Sequence, residues 1–499
     1  MVEFSNVPNV QFLVKPRIDL ANIKPRFMKW SSVCQIIWLL PFTLFGQHPF
    51  ENQLLPTIQD ERQPVRFNLA DRMNHYHVPG LSIAIVENGE ISFLQGYGIA
   101  RNDTQASVDT NTLFQAGSIT KTLVAMGCFR MAEADSLDLD LNIRSYLRSW
   151  QLPDDPMIQG RAVTIRQLLS HTAGLKNINY KGLPQHQEPG NLQQQLRGEL
   201  RKPAIRFDTF PGTRFAYANT GYLILQQVLE DHTGQSLTDW LADWVLEPLG
   251  MQDSELTNAF WNAQDRRYSY AYNSDGALVD GYWYNDASLG AGGLWTTPKD
   301  LAKVIKEWAL IWQGESDFLS AESLRAMIQG PVPGPAGTGV YVKGNLDSLV
   351  LSHSGKEVGF TNYMIAHAPQ GNGVIVLTNG DQGGYLFSEV IRGVSTHYGW
   401  SLTTSRTVQS QAVEVDSLKA YVGTYRLEFE GETYRIEIQT MNQELMLIDL
   451  DEEVDPYPLR YLGDQLFIDL VDQERLRFLW KNGEVQSIDW NGDFVFQRE

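Results

Sequence analysis

The sequence predicts an α+β fold: an antiparallel sheet flanked by helices, with an inserted helical lobe, followed by a small all-β barrel domain. Three observations lead there. Two hairpin-like stretches, 78–100 and 361–380, lie far apart, with helical segments and Gly/Pro-rich loops between them. The chain then turns Ser/Thr/Gln-rich over 401–415. Beyond 415 it breaks into about eight short alternating runs. Strands at both ends with helices between them suit one sheet closed by the two terminal portions, and short alternating strands suit a barrel or sandwich.

Residues 33–45, "VCQIIWLLPFTLF", form an apolar run without a charge. At 13 residues it falls short of the roughly 20 that span a bilayer and fits a secretory signal, with Met28-Lys29 as its positive start and Gly46 near the cut. Residues 1–27 then read as an upstream extension, and 1–47 as a leader. The chain is expected in the periplasm or secreted; the alternative is a membrane anchor, if the leader stays uncleaved. Next, "VPGLSIAIVENGEISFLQGYGIA" (78–100) places two β-branched runs about Asn88-Gly89, a two-residue turn signal. Helices are expected over 163–170 and 221–232, and a second hairpin turns around Gln370-Gly371-Asn372-Gly373. The expected domains are thus 48–400, a linker at 401–415, and 416–499. In the last, Asn482-Gly483 and Asn491-Gly492 supply hairpin turns.

The 499 residues carry a formal net charge of −19, with 19 acidic and 8 basic residues in 416–499. That balance argues against nucleic acid and against an electrostatic hold on anionic lipid. Two cysteines, Cys34 and Cys128, provide neither a disulfide framework nor a cysteine zinc site. No cofactor or metal is expected, and the oligomeric state is left open.

Chemistry enters at "FQAGSITKTLVAMG" (114–127), where an extended segment turns into a helix. Ser118 and Lys121 are three apart and so share a helix face. A serine hydroxyl needs a base, and a lysine serves once burial or nearby positive charge keeps it neutral. The helix start adds partial positive charge and an N–H for a developing oxyanion. A helix cap followed by a solvated lysine explains the same letters. Two further stretches change the balance. "GTRFAYANTGYLIL" sets Tyr217 and Asn219 before a helical run, and "LVLSHSGKEVGFTN" sets His353, Ser354 and Gly355 at the end of a strand-like run.

The order S-x-x-K, Y-x-N, H-x-G resembles the three boxes of the serine β-lactamase and penicillin-binding protein superfamily, in the branch of class C β-lactamases, esterases, D-aminopeptidases and DD-carboxypeptidases. "VTIRQLLSHTAGL" (163–175) and "GAGGLWTTPKDLAK" (290–303) also look like that branch, and the resemblance covers roughly residues 60–400. The C-terminal domain is similar to lipocalin-like β-domains, with "YVGTY" (421–425) near its start. The resemblance implies a β-lactamase/transpeptidase-like fold and an acyl-Ser118 intermediate. Lys121 and Tyr217 would share general-base work, and Asn219 would position the substrate. His353, Ser354 and Gly355 would line the pocket, and the Lys356 N–H would join that of Ser118 in an oxyanion hole.

One position departs from the pattern. The β-lactamases and transpeptidases usually carry lysine in the third box, where its charge helps bind a substrate carboxylate; this chain has His353, with Lys356 expected on the opposite face of the strand. Weight shifts towards esters, amides or D-amino-acid peptides as small substrates.

The expected function is therefore serine hydrolysis of an ester or amide. The alternatives are a D-aminopeptidase or DD-carboxypeptidase, a β-lactamase, and, from another class, a binding or sensor protein of the same fold. His171 reads as structural, and His75 with His77 as half a metal site without companions. Trp283, Tyr284 and Trp295 read equally as pocket or core aromatics.

Overall fold

The computed structural model of the chain describes residues 48–178, 182–200, 204–258, 267–334, 336–429, 432–451 and 456–499. The expected leader, 1–47, lies outside them. Within them no helix is long and apolar enough to cross a membrane.

Strands β1 (Gly80–Glu87) and β2 (Glu90–Arg101) form the first hairpin. Asn88 and Gly89 both take positive φ, 51° and 80°, the geometry that matches the twist of flanking strands. β3 (Ala106–Ser107) pairs with β2. The other half of the sheet comes from β4 (Tyr341–Lys343), β5 (Val350–Glu357), β6 (Phe360–His367) and β7 (Asn372–Thr378). The order is β4-β5-β6-β7-β1-β2-β3, antiparallel throughout. The two halves join where β7 pairs with β1, from Gly373 opposite Val86 to Thr378 opposite Leu81.

Helices cover and interrupt this sheet: α1 (Leu69–His75), α2 (Thr120–Glu133), α3 (Ile165–Leu169), α4 (Asn219–Thr233), α5 (Pro298–Gln313) and α6 (Gly383–Tyr398). Their ends follow local chemistry. Thr164 and Gln167 make a reciprocal capping box at α3. The Thr297 side chain accepts from the Asp300 N–H, Pro298 begins α5, and Gly314 ends it at φ 75°. Leu301, Val304, Ile305 and Trp308 of α5 belong to one buried core with Ala84, Val86, Ile375 and Leu377 of the sheet. The same core takes in Leu123, Val124 and Met126 of α2 and Tyr222, Leu223 and Leu225 of α4.

Strands β8 (Gly423–Phe429), β9 (Glu432–Met441), β10 (Glu444–Asp449), β11 (Tyr457–Gly463), β12 (Leu466–Asp469), β13 (Arg475–Lys481), β14 (Glu484–Trp490) and β15 (Phe494–Arg498) close into an eight-stranded barrel. β8 meets β15 through Tyr425 opposite Arg498, so no edge strand is left open. Tyr425, Ile438, Phe467, Leu476, Phe478 and Ile488 fill its interior.

Inside the stretch expected as a linker, Arg406–Val408 is a strand pairing in parallel with Ile58–Asp60. Contacts accordingly group 48–68 with Thr403–Glu499 in one compact unit and Leu69–Ile391 in another. Pairing of segments this distant leaves no mark in local composition.

Candidate active site

Ser118 lies in a single 3-10 turn, Gly117–Ile119, feeding directly into α2. Gly117 takes φ +56°, a conformation that side chains disfavour, and this swings the serine to the head of the helix. One turn on, Lys121 is fully buried. Its Nζ is 2.9 Å from Ser118 Oγ and donates to the Ala291 carbonyl at 2.5 Å. From two residues before α4, Tyr217 donates its hydroxyl to Ser118 Oγ at 2.8 Å. Three distant sequence stretches thus converge on one oxygen.

Burial sets the protonation of this group. It holds the Lys121 amine down at about 7, although the Glu357 carboxylate pulls the other way. It also pushes the Tyr217 phenol up to about 12, with the hydrogen bond to Ser118 opposing. The lysine is therefore the group ready to accept a proton near neutrality, while the tyrosine keeps its own. His353 is 2% exposed, and burial together with nearby Lys121 pushes it down to about 3, so it is neutral. Its Nδ1 lies 2.6 Å from the Ser354 carbonyl, which only a ring N–H can satisfy.

β5 passes close to the head of α2. A side chain at Gly355 would collide with the Ala116 carbonyl, and one at Gly117 would come within 2.7 Å of the Lys356 nitrogen. Glycine at both places lets the strand backbone reach the serine. Among the described residues nothing accepts from the Ser118 N–H. The Lys356 side chain is 63% exposed and turns to Asp381, 3.7 Å from Oδ1 and 3.2 Å from the carbonyl. It projects away from buried His353, as strand alternation requires.

Asn219 opens α4, with its N–H on Asn177 Oδ1 at 2.9 Å and its own Oδ1 without a partner. His171 is buried; its Nδ1 accepts from the Ala218 N–H at 3.2 Å and its ring sits 4.3 Å from that of Tyr217. Its place is behind the tyrosine. His75 and His77 gain no companions: among the described residues no group of three or more His, Cys, Asp or Glu is arranged to hold a metal.

Ser118, Asn219 and Lys356 line the cleft, whose empty space is about 540 Å³ with open solvent included. Tyr284 lines it too, whereas Trp283 and Trp295 are core residues, 2% and 1% exposed. Gln115, Asp286 and Glu357 also face the cleft, and the sequence reading did not single them out. Glu357 alternates with Gly355 and His353 along one strand, so a period of two counted on past the H-S-G box would have found it. Gln115 and Asp286 carry no comparable signal.

The Beta-lactamase family model matches residues 65–391. The chain is similar to Protein flp of Staphylococcus aureus (strain MW2), 24% identical over 331 residues, which are 64% of this chain and 63% of that protein. It therefore spans a little under two thirds of that relative's length. Among solved structures it resembles the octameric penicillin-binding protein homologue from Pyrococcus abyssi, with TM-score 0.55 and 21% identity over 86% of this chain and 98% of that one. It also resembles the D-amino acid amidase from Ochrobactrum anthropi SV3, with TM-score 0.54 and 21% identity over 66% and 98% of the two chains. At these identities the structural likeness is one of fold.

Proposed function

The chain belongs to the beta-lactamase family through residues 65–391, and from that premise we propose that it is a serine hydrolase opening an ester or amide bond through an acyl-Ser118 intermediate. The observation that carries this reading is the convergence of Lys121 Nζ and Tyr217 Oη on Ser118 Oγ, at 2.9 and 2.8 Å.

Neutral Lys121 takes the hydroxyl proton as Ser118 Oγ bonds to the substrate carbonyl carbon. The negative charge on the carbonyl oxygen is met by the N–H groups of Ser118 and Lys356. When the tetrahedral species collapses, the bond to the leaving amine or alcohol breaks. The leaving atom receives the Tyr217 hydroxyl proton, and the Lys121 ammonium, which took its proton from Ser118, returns that proton to the Tyr217 oxygen. Water then adds to the acyl carbon along the reverse proton path, releasing the acid and restoring the serine. Tyr217 works here as a proton conduit rather than as a standing phenolate, because burial raises its pKa.

Neutral His353 in the third box supports esters, amides or amino-acid derivatives over substrates held by a carboxylate. A binding or sensor role would need neither a buried lysine near neutrality nor a tyrosine on the same oxygen. A fluorophosphonate probe followed by mass spectrometry tests the reading. Modification of the native protein at Ser118, absent in Ser118→Ala, is expected; no modification of the native chain would refute the acyl-enzyme route.

A further inference from the structure

Residues 214–218, which carry Tyr217, form neither helix nor strand. No regular backbone ladder fixes the tyrosine, and contacts with residues distant in sequence take over. His171 supplies three of them. Its carbonyl accepts from the Ala216 N–H at 2.8 Å. Its Nδ1 accepts from the Ala218 N–H at 3.2 Å. Between these two bonds the imidazole lies against the phenol, with ring centroids 4.3 Å apart and planes tilted by 34°. The His171 backbone takes φ +56°, the left-handed region that residues with a Cβ enter at a cost, and histidine is among the few enriched there. The stretch that bears it is anchored on both sides. The Leu169 carbonyl accepts from the Tyr222 hydroxyl at 3.0 Å and from the Gly339 N–H at 3.2 Å, and the Thr172 carbonyl accepts from the Gly212 N–H at 2.8 Å.

An Nδ1 that accepts an N–H carries no proton, so the hydrogen of the neutral ring is on Nε2. Burial, with Lys121 and His353 nearby, holds the ring's pKa well below 6.5 and keeps it in this neutral form. A histidine placed only to fill space needs neither a left-handed backbone nor an acceptor turned to the chain beside a reacting residue. A proton relay does need its oxygen within hydrogen-bond reach of both partners, and a misplacement of about 1 Å is costly. We propose that His171 is a positioning residue: its carbonyl and Nδ1 clamp the chain on either side of Tyr217 and its ring sets the phenol, so that the hydroxyl reaches both Ser118 Oγ and the leaving atom. The inference rests on the proton path assigned to Ser118, Lys121 and Tyr217, and concerns how one member of it is held.

The test is a double-variant cycle read on the ethyl and p-nitrophenyl esters of butyric acid. The p-nitrophenolate leaves without a proton, whereas ethanol must be given one as it leaves. His171→Ala is expected to lower kcat/KM roughly hundredfold for the ethyl ester and about tenfold or less for the p-nitrophenyl ester, with KM little changed. His171→Asn, which keeps an acceptor and tolerates the left-handed backbone, should recover most of the loss. In Tyr217→Phe, where the hydroxyl is already gone, adding His171→Ala should cost no more than about twofold. Melting curves identify folded variants, and His171→Gly, at ease with positive φ, replaces an alanine variant that does not fold. Equal losses on the two esters, or additive losses in the double variant, would overturn the inference. If the native chain turns over neither ester, the crystal structure of His171→Ala decides. Tyr217 Oη is expected beyond about 3.5 Å from Ser118 Oγ, and a hydroxyl still at hydrogen-bond distance refutes the clamp. Absence of fluorophosphonate labelling in the native chain would count instead against the reaction assigned to Ser118.

Discussion

Lys121 exchanges stability for reactivity. Its amine ordinarily titrates at 10.5 and is held at about 7 by burial. Below that value the ammonium cannot accept the serine proton, so kcat/KM should rise with pH and level off above about 7. The same shift works on folding. Between 7 and 10.5 the unfolded chain binds the proton that the native chain has released, so this residue makes stability increase with pH across that window. Below 7 the folded state bears the whole cost of burying the charge. Lys121→Met should therefore abolish turnover yet raise the melting temperature by roughly 2–4 °C or more at pH 6, with the advantage fading towards pH 10. A melting temperature unchanged or lowered at pH 6 would show that the burial cost is offset elsewhere. The serine and lysine were legible as a pair three apart, but nothing local indicated that the lysine is completely enclosed.

At the scale of elements, the reactive geometry depends on how closely β5 approaches the head of α2. Gly355 faces the Ala116 carbonyl with no room for a Cβ. Gly355→Ala should push the strand away and carry the Lys356 N–H with it. Loss of one oxyanion donor typically costs on the order of hundredfold in kcat, with KM much less affected. Steady-state kinetics checks this, and an unchanged kcat would separate the strand from the oxyanion hole. The hairpins and the helix at 163–170 were predictable because turn and capping chemistry act between neighbours in sequence. The approach of β5 to α2, which joins residues more than two hundred positions apart, was implied only by the family resemblance and by nothing local. The short parallel pair of Ile58–Asp60 with Arg406–Val408 escaped the sequence reading for the same reason.

At the scale of the molecule, the unit Leu69–Ile391 is closed on itself by a buried ion pair. Arg72 of α1 donates to both carboxylate oxygens of Glu389 in α6, at 2.9 and 2.8 Å, and Tyr76 adds a third bond at 2.8 Å. The two charged residues are 4% and 1% exposed. The fork-to-carboxylate match explains why arginine rather than lysine is used. Arg72→Met would leave Glu389 enclosed with only the tyrosine, and should lower stability by about 3–5 kcal/mol in urea unfolding. Arg72→Met with Glu389→Leu should recover much of that loss, because the cost lies in the unpaired charge rather than in the missing bridge. A single variant as stable as the native chain would mean that water reaches the glutamate.

Taken alone, the sequence determined the α+β class, the eight short strands of the barrel, and the identity and order of Ser118, Lys121, Tyr217, Asn219 and His353. Turns, caps, periodicity and motif spacing are short-range properties, written where they act. The tertiary structure decided what those groups are electrically. It enclosed Lys121, kept Tyr217 protonated and His353 neutral, and turned Lys356 away towards Asp381. It also brought Gln115, Asp286 and Glu357 to the cleft. Burial and field are sums over every neighbour in space, and no local stretch of chain records them.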